Sequence, residues 1–451
     1  MSAPRTLTFF GGAATATGSM MLLEAAGARV LLDAGLFEGN VAQVDAMNRS
    51  LPLDPSKVDA LLLSAAGLAA SGRMPQLIRH GLRAPIYATP AARDCAAVLL
   101  TDTALELAAL DDPIYGLRDV FATMNQVVAQ PFRRAVYLRR NLVFEFAESG
   151  HTLGSASIEL RTGEGGSHRI VYSGAVGRPH SMLFRDPSPK PGEVDTLIIG
   201  SPFAHAQHPS FDDARERLAT VINETVARGG QIIVPATTLG PVQEFIRAVQ
   251  ELCHQGKIRE IPIWMDIPTP VSLTTVLRLH PESIAESVEA FATQTGAFDR
   301  TMLNYIPQGG ARDYVDRFDG PAIIVAPNET CDAGRSAHHL RRCLGDPRHT
   351  IIFAAFQEEG SVGRLLQDGA MSVELGGTVV ERRAAVETMT AYSGLADGEE
   401  MRGWIRALGG PVRRAFVVRG DDLAVATLVT ILREEGVRDV IVPRQGESFP
   451  F

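Results

Sequence analysis

The apolar pattern of this chain changes character near residue 211, and that change limits the folds open to it. Up to about residue 200 the chain reads as short β-rich runs broken by turns. The run at 6–10 closes on Gly11 and Gly12, and the runs at 20–24 and 28–33 flank a turn at Ala26 and Gly27, as a hairpin would. A continuous apolar run at 58–63 suits a strand covered on both faces. Another strand at 85–89 leads into a helix with Pro90 in its first turn, and runs at 141–146, 157–160 and 169–173 extend the sheet. From Phe211 the pattern becomes β/α alternation. A helix over 212–228 stops at Gly229 and Gly230, a strand follows at 231–235, then a helix over 241–255 and strands at 261–265 and 322–326. After Tyr392 the first style returns, with a strand at 414–418, a helix over 423–435 and a last strand at 439–443. The order predicts a split domain, 1–204 with 391–451, around a parallel-sheet insertion, 205–390.

With 451 residues the chain is too long for one ordinary core. Its 45% hydrophobic and 21% charged residues describe a globular protein rather than a disordered one. No apolar run reaches the ~20 residues of a membrane helix, and the N-terminal residues lack a signal-peptide pattern, so a cytoplasmic protein is expected. Cys95, Cys253, Cys331 and Cys343 form no C-x-x-C pair and read as thiols, neither a disulfide framework nor a zinc knuckle. A net charge of −9 argues against nucleic-acid binding over the whole surface, because that affinity comes from basic side chains on phosphates. A local basic groove is compatible with it.

A resemblance covers nearly the whole chain, and six of its segments bear on the chemistry. Leu61-Leu62-Leu63-Ser64-Ala65-Ala66-Gly67-Leu68-Ala69-Ala70-Ser71-Gly72 resembles Leu-Leu-Thr-His-Ala-His-Leu-Asp-His-Ser-Gly, and Leu32-Asp33-Ala34-Gly35-Leu36-Phe37-Glu38-Gly39 resembles Ile-Asp-Cys-Gly-Leu-Phe-Gln-Gly. Gly150-His151-Thr152-Leu153-Gly154-Ser155 matches a third motif, and Ser173-Gly174-Ala175-Val176-Gly177-Arg178 resembles Ser-Gly-Asp-Leu-Gly-Arg. Tyr392-Ser393-Gly394-Leu395-Ala396-Asp397 resembles Phe-Ser-Ala-His-Ala-Asp, and Val418-Arg419-Gly420-Asp421 resembles Val-His-Gly-Glu. Together they are similar to the metallo-β-lactamase-type hydrolases of the β-CASP branch, the ribonuclease J-like and cleavage/polyadenylation-type RNA nucleases. The resemblance implies an αββα metallo-β-lactamase sandwich with an inserted parallel-sheet β-CASP domain, an α/β fold. It also implies two zinc ions, held in the family by residues whose positions here are Ala65, Gly67, Ala69, Ala70, His151, Ala175 and Arg419. Of these only His151 carries a side chain that zinc accepts, which means imidazole nitrogen, thiolate or carboxylate. Gly200 stands in place of an acidic residue, and Leu395 in place of the family's presumed general-acid histidine.

The expectation drawn from these replacements is a vestigial cleft lined by Ala65, Gly67, Ala69, Ala70, His151, Ala175, Gly200, Leu395 and Arg419, with no catalytic residue, no metal and no cofactor. Arg419, Arg178 and Arg335 are the candidate anion-binding residues, guanidinium being permanently charged. The implied function is a non-enzymatic pseudonuclease acting as a scaffold or regulatory subunit, a homo-oligomer or a heterodimer with an active paralogue. Two alternatives stand beside it. One is an RNA-processing hydrolase with a rebuilt site of His151, Arg419 and Arg178, joined by His205 or His208 if their loop folds inward. The other is an RNA-binding module without cleavage, against which Pro241 (in place of an arginine in the segment 235–241), Glu329 and Asp332 count. His338 and His339 are expected to be one packed and one solvated residue of a helix, and Asp33, Asp195 and Asp397 to orient their neighbours.

Overall fold

The computed structural model of the protein describes residues 5–38, 41–236, 240–266, 273–285, 302–306, 312–354 and 357–451. Gly39 of the second motif above, and Thr237, Thr238 and Leu239 of the 235–241 segment, lie outside them. Along the chain the first strands are β1 (Thr6–Gly11), β2 (Met20–Ala25), β3 (Ala28–Leu32), β4 (Ala60–Leu62), β5 (Ile86–Ala88) and β6 (Val127–Ala129). Next come β7 (Val136–Arg139), β8 (Leu142–Glu148), β9 (Ala156–Thr162), β10 (His168–Tyr172) and β11 (Val194–Ile199). The middle of the chain supplies β12 (Ile232–Pro235), β13 (Ile263–Met265), β14 (Leu303–Tyr305), β15 (Ile323–Ala326), β16 (Thr350–Phe353), β17 (Ser372–Leu375), β18 (Thr378–Glu381) and β19 (Ala385–Thr388). The end supplies β20 (Val412–Val417), β21 (Asp439–Ile441) and β22 (Ser448–Pro450). Two compact units result: residues 1–38, 42–207 and 395–451 form one, and residues 39–41 and 208–394 the other.

The first unit contains two seven-stranded sheets, ordered β22-β1-β2-β3-β4-β5-β6 and β21-β20-β11-β10-β9-β8-β7. Each begins antiparallel and turns parallel, at β3–β4 across a connection that carries a helix and at β10–β11 across the non-helical segment 173–193. Side chains alternate across a strand, and the alternation decides the layers. Phe9, Leu23 and Val30 of one sheet share a single buried cluster with Phe146, Ile158, Ile198 and Phe416 of the other. The intervening residues of the second sheet, Leu197, Ile199, Ala415 and Val417, face away and bury Met401 and Trp404 of the helix Gly398–Ala407 and Leu428 of the helix Asp422–Glu434. Helices Met74–Arg79, Pro90–Leu107 and Leu117–Gln126 pack on one another, and Pro90–Leu107 also packs on β6 of the first sheet. The layering is helix, sheet, sheet, helix, the αββα sandwich. Local signals agree with it: Pro90 occupies the first turn of its helix, and the Thr89 hydroxyl accepts from the Ala92 N–H.

The second unit is built on six parallel strands in the order β14-β13-β15-β12-β16-β19. Ile233, Ile324 and Phe353 of this sheet are buried with Leu340 and Cys343 of the helix Gly334–Cys343. Ser210 caps the helix Phe211–Ala227 by accepting from Asp213 N–H, and Pro241 opens the helix Pro241–His254. The β17–β18 hairpin is antiparallel and stands outside the six-stranded sheet. Among the described residues no helix is long and apolar enough to cross a membrane.

Candidate functional site

In the first unit, the loops that leave the carboxyl ends of β3, β4, β10, β11 and β20 gather around one buried carboxylate. Asp33, directly after β3, is fully buried. Its oxygens accept from Ser64 N–H at 2.7 Å, from the Ser64 hydroxyl at 2.7 Å and from the Tyr172 hydroxyl at 2.7 Å. The Ser19 and Tyr172 hydroxyls are 2.9 Å apart and share a hydrogen bond. Burial raises the Asp33 carboxyl above its ordinary range, opposed by these donors and by the positive charge of Arg419. Asp33 adopts a left-handed conformation at φ 58°, and Arg419 does so at φ 53°. Strain of this kind in non-glycine residues costs on the order of 1–3 kcal/mol and gathers at functional sites.

The nine cleft positions all belong to this unit. Ala65 and Ala70 are buried in the loop and short helix after β4. That loop keeps its shape through its backbone: Ser19 N–H donates to Ala69 C=O, Ala34 N–H to Ala70 C=O, and the Ser71 hydroxyl to Ala66 C=O. From beneath, the buried guanidinium of Arg73 donates to Gly35 C=O at 2.6 Å and lies over the Phe37 ring. Burial lowers its pKa to about 10. Gly150 pairs with Val176 and Gly177 with Leu395, so the loops bearing His151, Ala175 and Leu395 are joined by backbone bridges. Arg419 N–H donates to Gly12 C=O at 2.7 Å, and its Nε is 3.4 Å from Ala16 C=O.

A two-zinc centre of the family's kind does not fit these side chains. Side chains with donor atoms are missing at Ala65, Gly67, Ala69, Ala70 and Ala175, and Arg419 brings a cation in place of an imidazole. At Gly200 the backbone leaves no room for a side chain, because a Cβ atom would stand 1.8 Å from Val418 C=O. The residue that follows β20 therefore lies against the position where the resemblance expects an acidic residue. At Gly67, by contrast, a Cβ atom would meet open space.

The arginines expected to bind anions are not equivalent. Arg178 is buried and paired with Glu400, Nε to Oε1 at 2.9 Å. Burial raises the Glu400 carboxyl, opposed by the Asp397 N–H and by Arg178. Arg335 belongs to the other unit and is paired with Asp266. Arg419 has no carboxylate within ion-pair distance among the described residues, and unlike Arg73 beneath the loop it is not buried. His205 is exposed, its Nδ1 4.0 Å from Asp421, whereas His208 is buried. Asp397 caps the helix Gly398–Ala407 in a reciprocal box with Glu400, and Asp195 accepts from Arg169 N–H at 2.9 Å.

Motif reading missed a second group. Asp316, His338 and His339 of the second unit place one potential ligand atom each within 4.8 Å of the others. His339 is wholly buried and His338 partly exposed. Asp316 lies in none of the motifs, and only the fold brings it to the two histidines.

Comparison with known proteins gives matches across the chain. Residues 242–366 match the Beta-Casp domain, and residues 379–443 match the Zn-dependent metallo-hydrolase RNA specificity domain. Ribonuclease TTHA0252 of Thermus thermophilus is 31% identical over 449 residues, 98% of this chain and 99% of that protein. Transcription termination factor FttA of Cenarchaeum symbiosum is 27% identical over 430 residues, 92% of this chain and 66% of that protein. A protein of unknown function from Enterococcus faecalis shares the fold over the whole of both chains, with a TM-score of 0.56 at 14% identity.

These findings correct two expectations. A relative named as a ribonuclease spans practically the entire chain, which overturns the reading of a protein that is not an enzyme. The matched domain is described as zinc-dependent, and Asp316, His338 and His339 provide metal-ligating side chains, which overturns the reading of a protein without a metal cofactor. The physical reason is that this set is not local in sequence: tertiary folding assembles it from two separate helices.

Proposed function

Because the chain belongs to the β-CASP branch of the metallo-β-lactamase-type RNA nucleases, we propose that it acts on RNA as a phosphodiester hydrolase. The observation that carries this reading is the match to a ribonuclease along almost the full length of both proteins. The loop cluster around Asp33 is where the phosphodiester would bind. Arg419 supplies the positive charge that a phosphate and its more highly charged transition state require. His151 supplies an imidazole, a group able to accept and donate a proton. Asp33 lies within electrostatic reach of Arg419, whose positive charge favours its ionised form.

The test is cleavage of a labelled single-stranded RNA by protein purified free of host ribonuclease, in chelator and with added Zn²⁺ or Mn²⁺. Cleavage is expected, falling at least ~10²-fold in Arg419→Ala and in His151→Ala, the scale on which charge stabilisation and proton transfer act. Cleavage that both variants retain would move the reaction away from this cluster. Salt-dependent RNA binding with no cleavage under any of these conditions would overturn the hydrolase reading.

A further inference from the structure

The strongest unassigned chemistry lies in the second unit. His339 projects from the helix Gly334–Cys343 toward the end of β13, where its Nε2 lies 2.9 Å from Oδ2 of Asp266. Both side chains are entirely inaccessible to solvent. The other carboxylate oxygen of Asp266 is paired with the Arg335 guanidinium. A carboxylate held by arginine stays charged and can only accept. The proton of the neutral imidazole therefore sits on Nε2, and Nδ1 of His339 keeps a bare lone pair. That nitrogen is buried and has no hydrogen-bond partner among the described residues. A buried unsatisfied polar atom is disfavoured, and an imidazole with one nitrogen on a carboxylate and a free lone pair on the other is the arrangement metal-ligating histidines use.

The neighbours of His339 supply the remaining donors. His338 Nε2 lies 3.0 Å from Oδ2 of Asp316. Two ligand atoms on one tetrahedral zinc, each bonded at about 2.0–2.2 Å, are about 3.3 Å apart. Replacing the shared proton by a metal ion thus needs only a small opening of this pair. The side chains of His338 and Asp316 are 36% and 26% exposed, so two of the three donors can be reached from solvent. His338 Nε2 also reaches Oδ1 of Asp316, at 3.1 Å, and Arg342, its Nη2 bonded to Gln231, lies with Nε 3.7 Å from that oxygen.

We propose that Asp316, His338 and His339 form a binding site for one divalent transition-metal ion of the zinc type, with Asp266 as the residue that positions His339. Two imidazoles and one carboxylate suit such an ion better than calcium or magnesium, which take oxygen ligands. Three protein ligands leave at least one coordination position to water or an incoming group. The site stands on its own donors and does not depend on the RNA reading.

The test uses the full-length protein after chelator treatment, titrated with Zn²⁺ alone and read by elemental analysis and calorimetry. Wild type is expected to take up one ion per chain. His338→Ala and Asp316→Asn, both at partly exposed positions, are expected to bind at least tenfold more weakly while keeping the wild-type circular dichroism spectrum. In a ¹⁵N imidazole spectrum, zinc should shift Nδ1 of His339 and leave its Nε2 protonated. Absence of stoichiometric uptake by wild type, or uptake unchanged in both variants, would overturn the site. No RNA enters the measurement, so either result leaves the hydrolase test to be decided separately.

Discussion

At the scale of single residues, Asp33 shows how a fold keeps a charge it can hardly solvate. Its three donors come from Ser64 and Tyr172, 31 and 139 positions away in sequence. Because burial raises the folded pKa, Asp33 contributes stability that is complete below the ordinary value of ~3.9 and is lost as pH rises through the raised one. Tyr172→Phe removes one donor from the charged form and raises that pKa further. It should cost about 1–3 kcal/mol in chemical denaturation, with a larger penalty at pH 8 than at pH 5. Equal penalties at the two pH values would show that the hydroxyl does not serve the charge. The sequence marks Asp33 as a motif residue that orients its neighbours, and the structure gives it that place. It does not reveal the partners, because hydrogen bonds between β3, β4 and β10 exist only once the two sheets face each other. The same limit hid Asp266 and Asp316, ordinary acids until the fold sets them beside His338 and His339.

At the scale of elements, buried apolar runs were legible and polar edges were not. The runs at 20–24, 58–63, 231–235 and 322–326 fall on β2, β4, β12 and β15, buried strands rich in branched or long apolar side chains. The hairpin β17–β18 and the final strand β22 left no such trace, because most of their residues are exposed or half-exposed and carry no core pattern. One element-level contact is sensitive to pH. His349, just before β16, accepts the Gln231 N–H on Nδ1 at 2.9 Å and so ties the starts of β12 and β16 together. Burial holds its pKa below the ordinary histidine value. The stability this neutral ring contributes is present above ~6.5 and is lost as pH falls through the depressed value. Thermal melts of the wild type between pH 7.5 and 5 should show a falling midpoint. His349→Gln should flatten that slope, and an unchanged slope would rule the contact out as its source.

At the scale of the whole molecule, residues 395–451 belong to the first unit, where β20 pairs with β11 and β21 with β20. Phe416 of β20 packs its ring against Phe9 of β1, at a centroid distance of 5.1 Å, and belongs to the core between the sheets. Phe416→Ala should cost about 3–5 kcal/mol through lost burial and the cavity left behind. Two units with separate cores need not melt together, so calorimetry should show that transition moving while the one belonging to residues 208–394 keeps its temperature. A single transition shifted as a whole would mean the two cores are coupled. The pairing of β22 with β1 imposes an order on synthesis: Thr8 is made 440 residues before Ser448, its neighbour in the sheet. Over that interval β1 keeps an open edge of the kind that recruits foreign strands, while residues 208–394 are made and can complete a sheet of their own. A growing chain of this protein should therefore be a client for holding chaperones until β22 is made.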